Sequence, residues 1–175
     1  LFTGCGKQGS LTFLSKPQVI ITSYEGVEVE EDLKDPYYFQ NKIYWRGESS
    51  GGVVTGYAYR VLDLDGKPVN TPKTFIDEEG WIYHYKPGAD QAIPLSNPDV
   101  RSIWTTNVFD VVHFPASVTG DSTSVTSIFE IKCKDHRDQE SEIYRKYFNA
   151  VSHIPGVDII FSDRFRPLAA AVDPE

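Results

Sequence analysis

Ser124-Val-Thr-Ser-Ile-Phe-Glu-Ile-Lys-Cys-Lys-Asp135 is the stretch on which the fold assignment turns. From Ile128 on it alternates strictly, with Phe129, Ile131 and Cys133 on one side and Glu130, Lys132 and Lys134 on the other. Side chains on a strand alternate faces with period two, so the run predicts an apolar row on a core and a charged row in water. A helix would spread both sets around its circumference. One buried face is the habit of antiparallel sheets and sandwiches.

The same logic extends outward from this strand. Residues 17–24, Pro-Gln-Val-Ile-Ile-Thr-Ser-Tyr, form a β-branched run closed by polar residues. Ile43 and Trp45 alternate with Tyr44 and Arg46, which places Trp45 in the core. In residues 53–64, Tyr57, Tyr59 and Val61 share one face and Ala58, Arg60 and Leu62 the other. Asp65-Gly66 then marks a hairpin turn, because that turn needs positive φ. Residues 80–85 predict a strand with Trp81, Tyr83 and Tyr85 on one face, residues 87–98 a proline-rich loop, and Ile103-Trp104 a short edge strand. Residues 108–114 are a further strand, ended by Pro115. Residues 143–151 fit either a strand or a helix lined by Ile143, Tyr147, Phe148 and Val151, and the surrounding strands favour the former. Residues 157–161 add one more short strand. Seven to nine short strands with turns between them are the imprint of an all-β antiparallel sandwich.

A length of 175 residues suits one domain with short flanking segments. The expected boundaries are a tether at 1–16, a sandwich at 17–151 with an insertion at about 67–107, and a terminal strand and tail at 152–175. A 13% aromatic content with 11 prolines and 13 glycines favours strands joined by many turns. The formal net charge of −8 argues against nucleic acid as a partner, which needs a basic footprint. No apolar run approaches the roughly 20 residues of a membrane-spanning helix. The chain begins at Leu1 and contains no methionine, as expected of a processed product or a fragment.

Chemistry is sparse. Cys5 and Cys133 are too few for a four-ligand zinc site, and His84, His113, His136 and His153 show no metal-ligand spacing. The acidic residues 25–36 and the run Asp63-Leu-Asp-Gly66 invite a calcium reading, but solvated loop and turn are the better ones. His136-Arg137-Asp138 spells a kinase tripeptide without the rest of the kinase set. With no Gly-x-Ser-x-Gly elbow either, no catalytic residue, metal or cofactor is expected. The aromatic residues of the insertion, Trp81, Tyr83, Tyr85 and Trp104, are candidate ligand-binding side chains, since exposed rings can stack on sugars or on a partner protein; core or edge cover is their alternative role.

Two resemblances bear on function. Leu1-Phe-Thr-Gly-Cys5 resembles the end of a bacterial lipoprotein signal, an apolar residue and two small ones before the cysteine that takes the lipid, followed by a polar Gly/Ser linker. A processed lipoprotein would start at Cys5, and a free or disulfide-bonded cysteine is the alternative; pairing with Cys133 would compete with lipidation. Trp45-Arg-Gly-Glu-Ser, followed by Gly52-Val-Val-Thr-Gly-Tyr-Ala-Tyr-Arg60, Phe129-Glu-Ile-Lys-Cys-Lys-Asp135, Ser141 and Arg145-Lys-Tyr-Phe-Asn149, is similar to bacterial extracellular fibronectin type III-like or immunoglobulin-like modules over about residues 18–151. That resemblance implies an Ig/FnIII-like sandwich but no particular activity. The expectation is a non-catalytic lipoprotein module of the cell envelope, outer membrane or cell surface, or a secreted one. Its partners would be other proteins of a surface or extracellular assembly, with the membrane reached through a lipid on Cys5. A carbohydrate-binding module, and an assembly subunit that exchanges its terminal strand, are the alternatives.

Overall fold

The alternating run is β7, Ser124–Asp135, the longest strand among the described residues and an inner strand of the larger sheet. The structure is a computed structural model that describes residues 15–26, 38–69, 75–94, 96–115, 124–151 and 160–161. The other strands are β1 (Gln18–Gly26), β2 (Tyr38–Glu48), β3 (Val54–Leu62), β4 (His84–Tyr85), β5 (Arg101–Ser102), β6 (Phe109–Pro115), β8 (Tyr144–Val151) and β9 (Ile160–Phe161). They pair antiparallel throughout, in the orders β1-β2-β6, β3-β7-β8-β9 and β4-β5. A single 3₁₀ turn, Pro98–Val100, is the only helical element among the described residues. No helix there is long and apolar enough to cross a membrane.

The two larger sheets face each other across one core. Val19, Ile43, Trp45, Val112 and Phe114 come from the first sheet, and Tyr57, Tyr59, Val61, Phe129, Ile131, Cys133 and Phe148 from the second. Trp45 is the hinge pin of this contact. Its ring lies 5.4 Å from Tyr59 and 6.4 Å from Phe129, and its indole nitrogen donates to the Asn107 carbonyl at 2.9 Å. A buried Trp must place that N–H somewhere, and the chain entering β6 provides the acceptor. Removing such a ring from a packed core costs about 3–5 kcal/mol.

Residues 144–151 are strand, as the neighbouring strands suggested. Phe148 is buried while Tyr147, one residue earlier, is exposed, which is alternation and not a helical stripe. The Asp65-Gly66 turn also forms: Gly66 takes φ +80°, its N–H donates to the Asp63 carbonyl at 3.0 Å, and Leu62 bridges Pro68. The short edge strand falls at Arg101–Ser102, which pair with Tyr85 and His84, and not at Ile103-Trp104. Trp104 lies beyond it, and Thr105 then exchanges 2.8 Å backbone hydrogen bonds with Tyr57. Of the expected terminal strand, Ile160–Phe161 are described, and they pair with Val151 and Ala150 of the same chain.

The charged row of β7 does not face water. Glu130 is 0% exposed, and the side chains of Lys132 and Lys134 are largely covered. Alternation fixed which face these residues take, but the insertion folds back over that face.

Candidate functional site

The cover is built by register. Arg60, Glu130 and Arg145 lie directly opposite one another on β3, β7 and β8. Arg60 Nε donates to Glu130 Oε2 at 2.8 Å and Arg145 Nε to Oε1 at 2.7 Å, so both carboxylate oxygens are taken by guanidinium forks. Burial pushes the Glu130 carboxyl up, but the hydrogen bonds from Arg145 and Arg60 outweigh it and hold the group below the ordinary range. Arg60 also donates to the Glu79 carbonyl at 2.8 Å, which ties the row to the insertion.

The two insertion tryptophans pack onto the same face. Trp81 bridges Arg60 in the backbone ladder and is 3% exposed. The Arg60 guanidinium and the Lys132 ammonium each stand 4.5 Å from its ring centre. Lys132 then lies 5.2 Å and Lys134 5.1 Å from the ring of Trp104. The result is a ladder, Arg60–Trp81–Lys132–Trp104–Lys134, in which cations alternate with indoles. Each such contact is worth roughly 0.5–1 kcal/mol, more where water is excluded. Opposite the two lysines β3 carries Ala58 and Gly56, and a Cβ on Gly56 would stand 3.3 Å from the Cβ of Trp104. Small residues there make room for the indole. The lysine heads end on Glu140 at 2.8 Å and Asp138 at 3.0 Å, in the hairpin between β7 and β8.

That hairpin explains His136-Arg137-Asp138. Asp135 is buried, and its carboxylate accepts from the Arg137 side chain at 2.6 and 3.0 Å and from the backbone of Arg137 and Gln139 at 2.9 and 3.2 Å. Those bonds, the Arg137 side chain first, hold the Asp135 carboxyl far below its ordinary range. Asp138 takes the left-handed conformation, φ 57°, that closes the turn. The tripeptide is turn architecture.

Tyr83 and Tyr85 go elsewhere than the tryptophans. Ile82 and His84, the alternate residues, turn to the core, where the His84 ring lies 5.5 Å from Tyr59. Tyr85 pairs with Arg101 in the β4-β5 ladder, and its hydroxyl donates to the Ile93 carbonyl at 2.9 Å, fastening the proline-rich loop. Tyr83 is 37% exposed and donates its N–H to the Phe75 carbonyl at 2.7 Å, which sets it beside Phe75, itself 43% exposed. The Arg101 guanidinium stands 5.1 Å from the Phe75 ring centre and 5.7 Å from that of Tyr83. Phe75 and Arg101 did not stand out in the sequence, because they meet only through the β4-β5 ladder and the Tyr83–Phe75 backbone bond.

Other groups offer less chemistry. Tyr59 donates to Asp110 at 2.8 Å with His84 3.9 Å away, an enclosed cluster in which burial lowers the His84 pKa and raises that of Tyr59. Cys133 is buried with its sulfur 3.4 Å from the Gln18 carbonyl, and burial pushes its thiol pKa up, away from nucleophilic use. A cleft of about 490 Å³ runs between residues 15–20 and 142–144, where the charged groups Lys16 and Glu142 pair with each other at 2.5 Å. Among the described residues no three His, Cys, Asp or Glu side chains converge as a metal site requires. Cys5 lies outside the described residues, as do residues 27–36 of the acidic loop; Glu25 lies on β1 and accepts from the Tyr44 hydroxyl at 2.8 Å.

Compared with protein-family models, with curated proteins and with solved structures, the chain gave no match.

Proposed function

We propose that the chain is a non-catalytic, extracytoplasmic interaction module: an Ig/FnIII-like sandwich, tethered through a lipid on Cys5, that meets partner proteins with the outer face of its insertion. The strand order supports the fold part of this reading. With β1, β2 and β6 in one sheet and β3, β7, β8 and β9 in the other, the order resembles the A-B-E and C-F-G part of an immunoglobulin-type sandwich, with β9 added at the edge of the second sheet and no counterpart of strand D in the first among the described residues. The cell-envelope location rests on the residues before Cys5.

The observation that carries the interaction reading is the exposed pair Phe75 and Tyr83 around Arg101, held on a hairpin that the tryptophan ladder fastens to the sandwich. Aromatic residues and arginine on a rigid support are what protein interfaces concentrate at their centres. Phe75 keeps 43% and Tyr83 37% of its surface in water. Phe75→Ser with Tyr83→Ser tests the reading. The double variant should stay folded, with its unfolding midpoint lowered only by the loss of the two Arg101 contacts and the covered part of the rings, and should lose proteins that cross-link to the wild-type chain in intact envelopes. An unchanged cross-linking pattern would reject it. Metabolic labelling with a fatty-acid analogue should mark the chain at Cys5 and not in Cys5→Ser.

The exposure of Tyr83 and Phe75 also favours a second reading, carbohydrate binding, although Trp81 has a cation over its ring and almost no exposed surface. A glycan array with the same double variant as control decides it. In the third reading, a neighbour's terminal segment would take the place of β9 on β8, using the pairs Ile160–Val151 and Phe161–Ala150 between chains.

A further inference from the structure

The cluster carries a charge that no carboxylate among the described residues neutralises. Arg46, Arg60, Arg137 and Arg145 each lie against a carboxylate, at 2.6 Å for Arg46, 2.7 Å for Arg60 and 2.6 Å for Arg137. Among the described residues Arg101 has no carboxylate partner, in a chain with eight more formal negative than positive charges. Its Nε is enclosed and without a hydrogen-bond acceptor. Two aromatic rings and the β4-β5 ladder hold it instead.

We infer that the Phe75–Arg101–Tyr83 cluster is a seat for a carboxylate side chain on an acidic segment of a partner protein. The inference rests on the interaction reading and names the chemistry of the partner. A guanidinium is a planar fork that matches a carboxylate with two parallel hydrogen bonds, and stacking against rings fixes its plane before the ligand arrives. The flanking rings lower the local dielectric and strengthen the pair over one in open water. A protein segment fits better than a sugar acid. The guanidinium already stands over both rings, at 5.1 and 5.7 Å from their centres, so the cation sits where a sugar ring would stack and offers a carboxylate its charge.

The test pans a random twelve-residue peptide display library on the full chain, with Phe75→Ser/Tyr83→Ser as counter-selection. Uronic-acid oligosaccharides are titrated in parallel. The expected result is a set of face-dependent peptides rich in Asp and Glu whose affinity falls about tenfold or more in Arg101→Gln, partly returns in Arg101→Lys, and weakens with salt. Both Arg101 variants should stay folded: Arg101→Lys keeps a cation beside the rings, and Arg101→Gln breaks no ion pair among the described residues and loses only the two ring contacts. Face-dependent peptides without acidic enrichment, unaffected by Arg101→Gln, would overturn the inference while leaving the interaction reading intact. An absence of face-dependent peptides would overturn both. Binding of the oligosaccharides with no peptide selected would overturn the protein partner in favour of a glycan.

Discussion

Glu130→Gln is the sharpest perturbation of this fold, because it changes a charge without changing a shape. In the wild type the carboxylate, 0% exposed, is shared by Arg60 and Arg145. The two arginines are not equivalent. The Arg145 side chain is half exposed and can turn to water once released, whereas Arg60, at 18%, is fixed by Trp81 and the Glu79 carbonyl. The cost of the substitution is therefore the cost of leaving Arg60 buried without its counter-charge. Removing one partner of a buried ion pair costs about 3–5 kcal/mol, and one trapped cation in place of two puts the expectation near the lower end, about 3 kcal/mol. At a urea dependence of about 2 kcal/mol/M, that lowers the unfolding midpoint by about 1.5 M. Urea titration followed by tryptophan fluorescence measures it and also reports Trp81, which should lose its shielded environment first. Because the folded-state pKa of Glu130 is depressed, its stabilising contribution is present above the unfolded carboxyl pKa and lost as pH falls through the folded one. The gap between wild type and variant should close over the same range. Glu130→Leu combined with Arg60→Leu should recover much of the loss, since an apolar pair of similar size carries no desolvation cost. A Gln variant within about 0.5 kcal/mol of wild type, at neutral pH and low salt, would refute the assignment of Glu130 as a charged keystone.

Gly80 takes φ +89°, and a Cβ there would stand 2.7 Å from the Cβ of Pro68, so Gly80→Ala should destabilise by more than the 1–2 kcal/mol of a strained backbone alone, read by thermal melting. Burial depresses the His84 pKa, so the unfolded chain binds the extra proton more readily, and stability should fall as pH drops below the unfolded value near 6.5. His84→Phe should flatten that slope between pH 7 and pH 5, and an unchanged slope would assign it to other groups. In a Cys5→Ser background, Cys133 should react with a thiol reagent at the rate of global unfolding, because its sulfur is enclosed and its pKa raised; fast labelling of the folded chain would show an opening at β1.

The sheets were legible because their information is local. Alternation in residues 128–134 placed Phe129, Ile131 and Cys133 on the core side, and the same pattern placed Trp45 and Tyr59. The fate of the opposite row was not local. Glu130 is buried because Trp81, on a segment 49 residues earlier, pairs with Arg60 across a loop, and no periodicity in β7 records that contact. A weak trace existed: Gly56 and Ala58 leave space opposite Lys134 and Lys132, and two tryptophans in the insertion needed somewhere to go. Residues 81–85 keep the alternation that their sequence predicts, but a strand that bridges a sheet at one end and a two-residue hairpin at the other splits its aromatic residues between two neighbourhoods. For that reason Trp81 and Trp104 came together, while Tyr83 joined Phe75 and Arg101.

The row Arg60–Glu130–Arg145 also acts as a key for the alignment of the chain while it folds. A slip of β7 by one residue would point Glu130 into the hydrophobic layer. A slip by two keeps the faces but sets Arg60 against Lys132 or Ile128, and likewise Arg145, so every near-native alignment meets a like charge or a charge without a partner. The apolar row adds to this, because a slip by two would exchange the Phe129 ring, packed against Trp45 and Tyr59, with smaller side chains. The charged row makes one pairing of the three strands far better than its nearest competitors. An Arg60→Leu/Glu130→Leu protein could then match the wild type in stability and still fold through misaligned sheets.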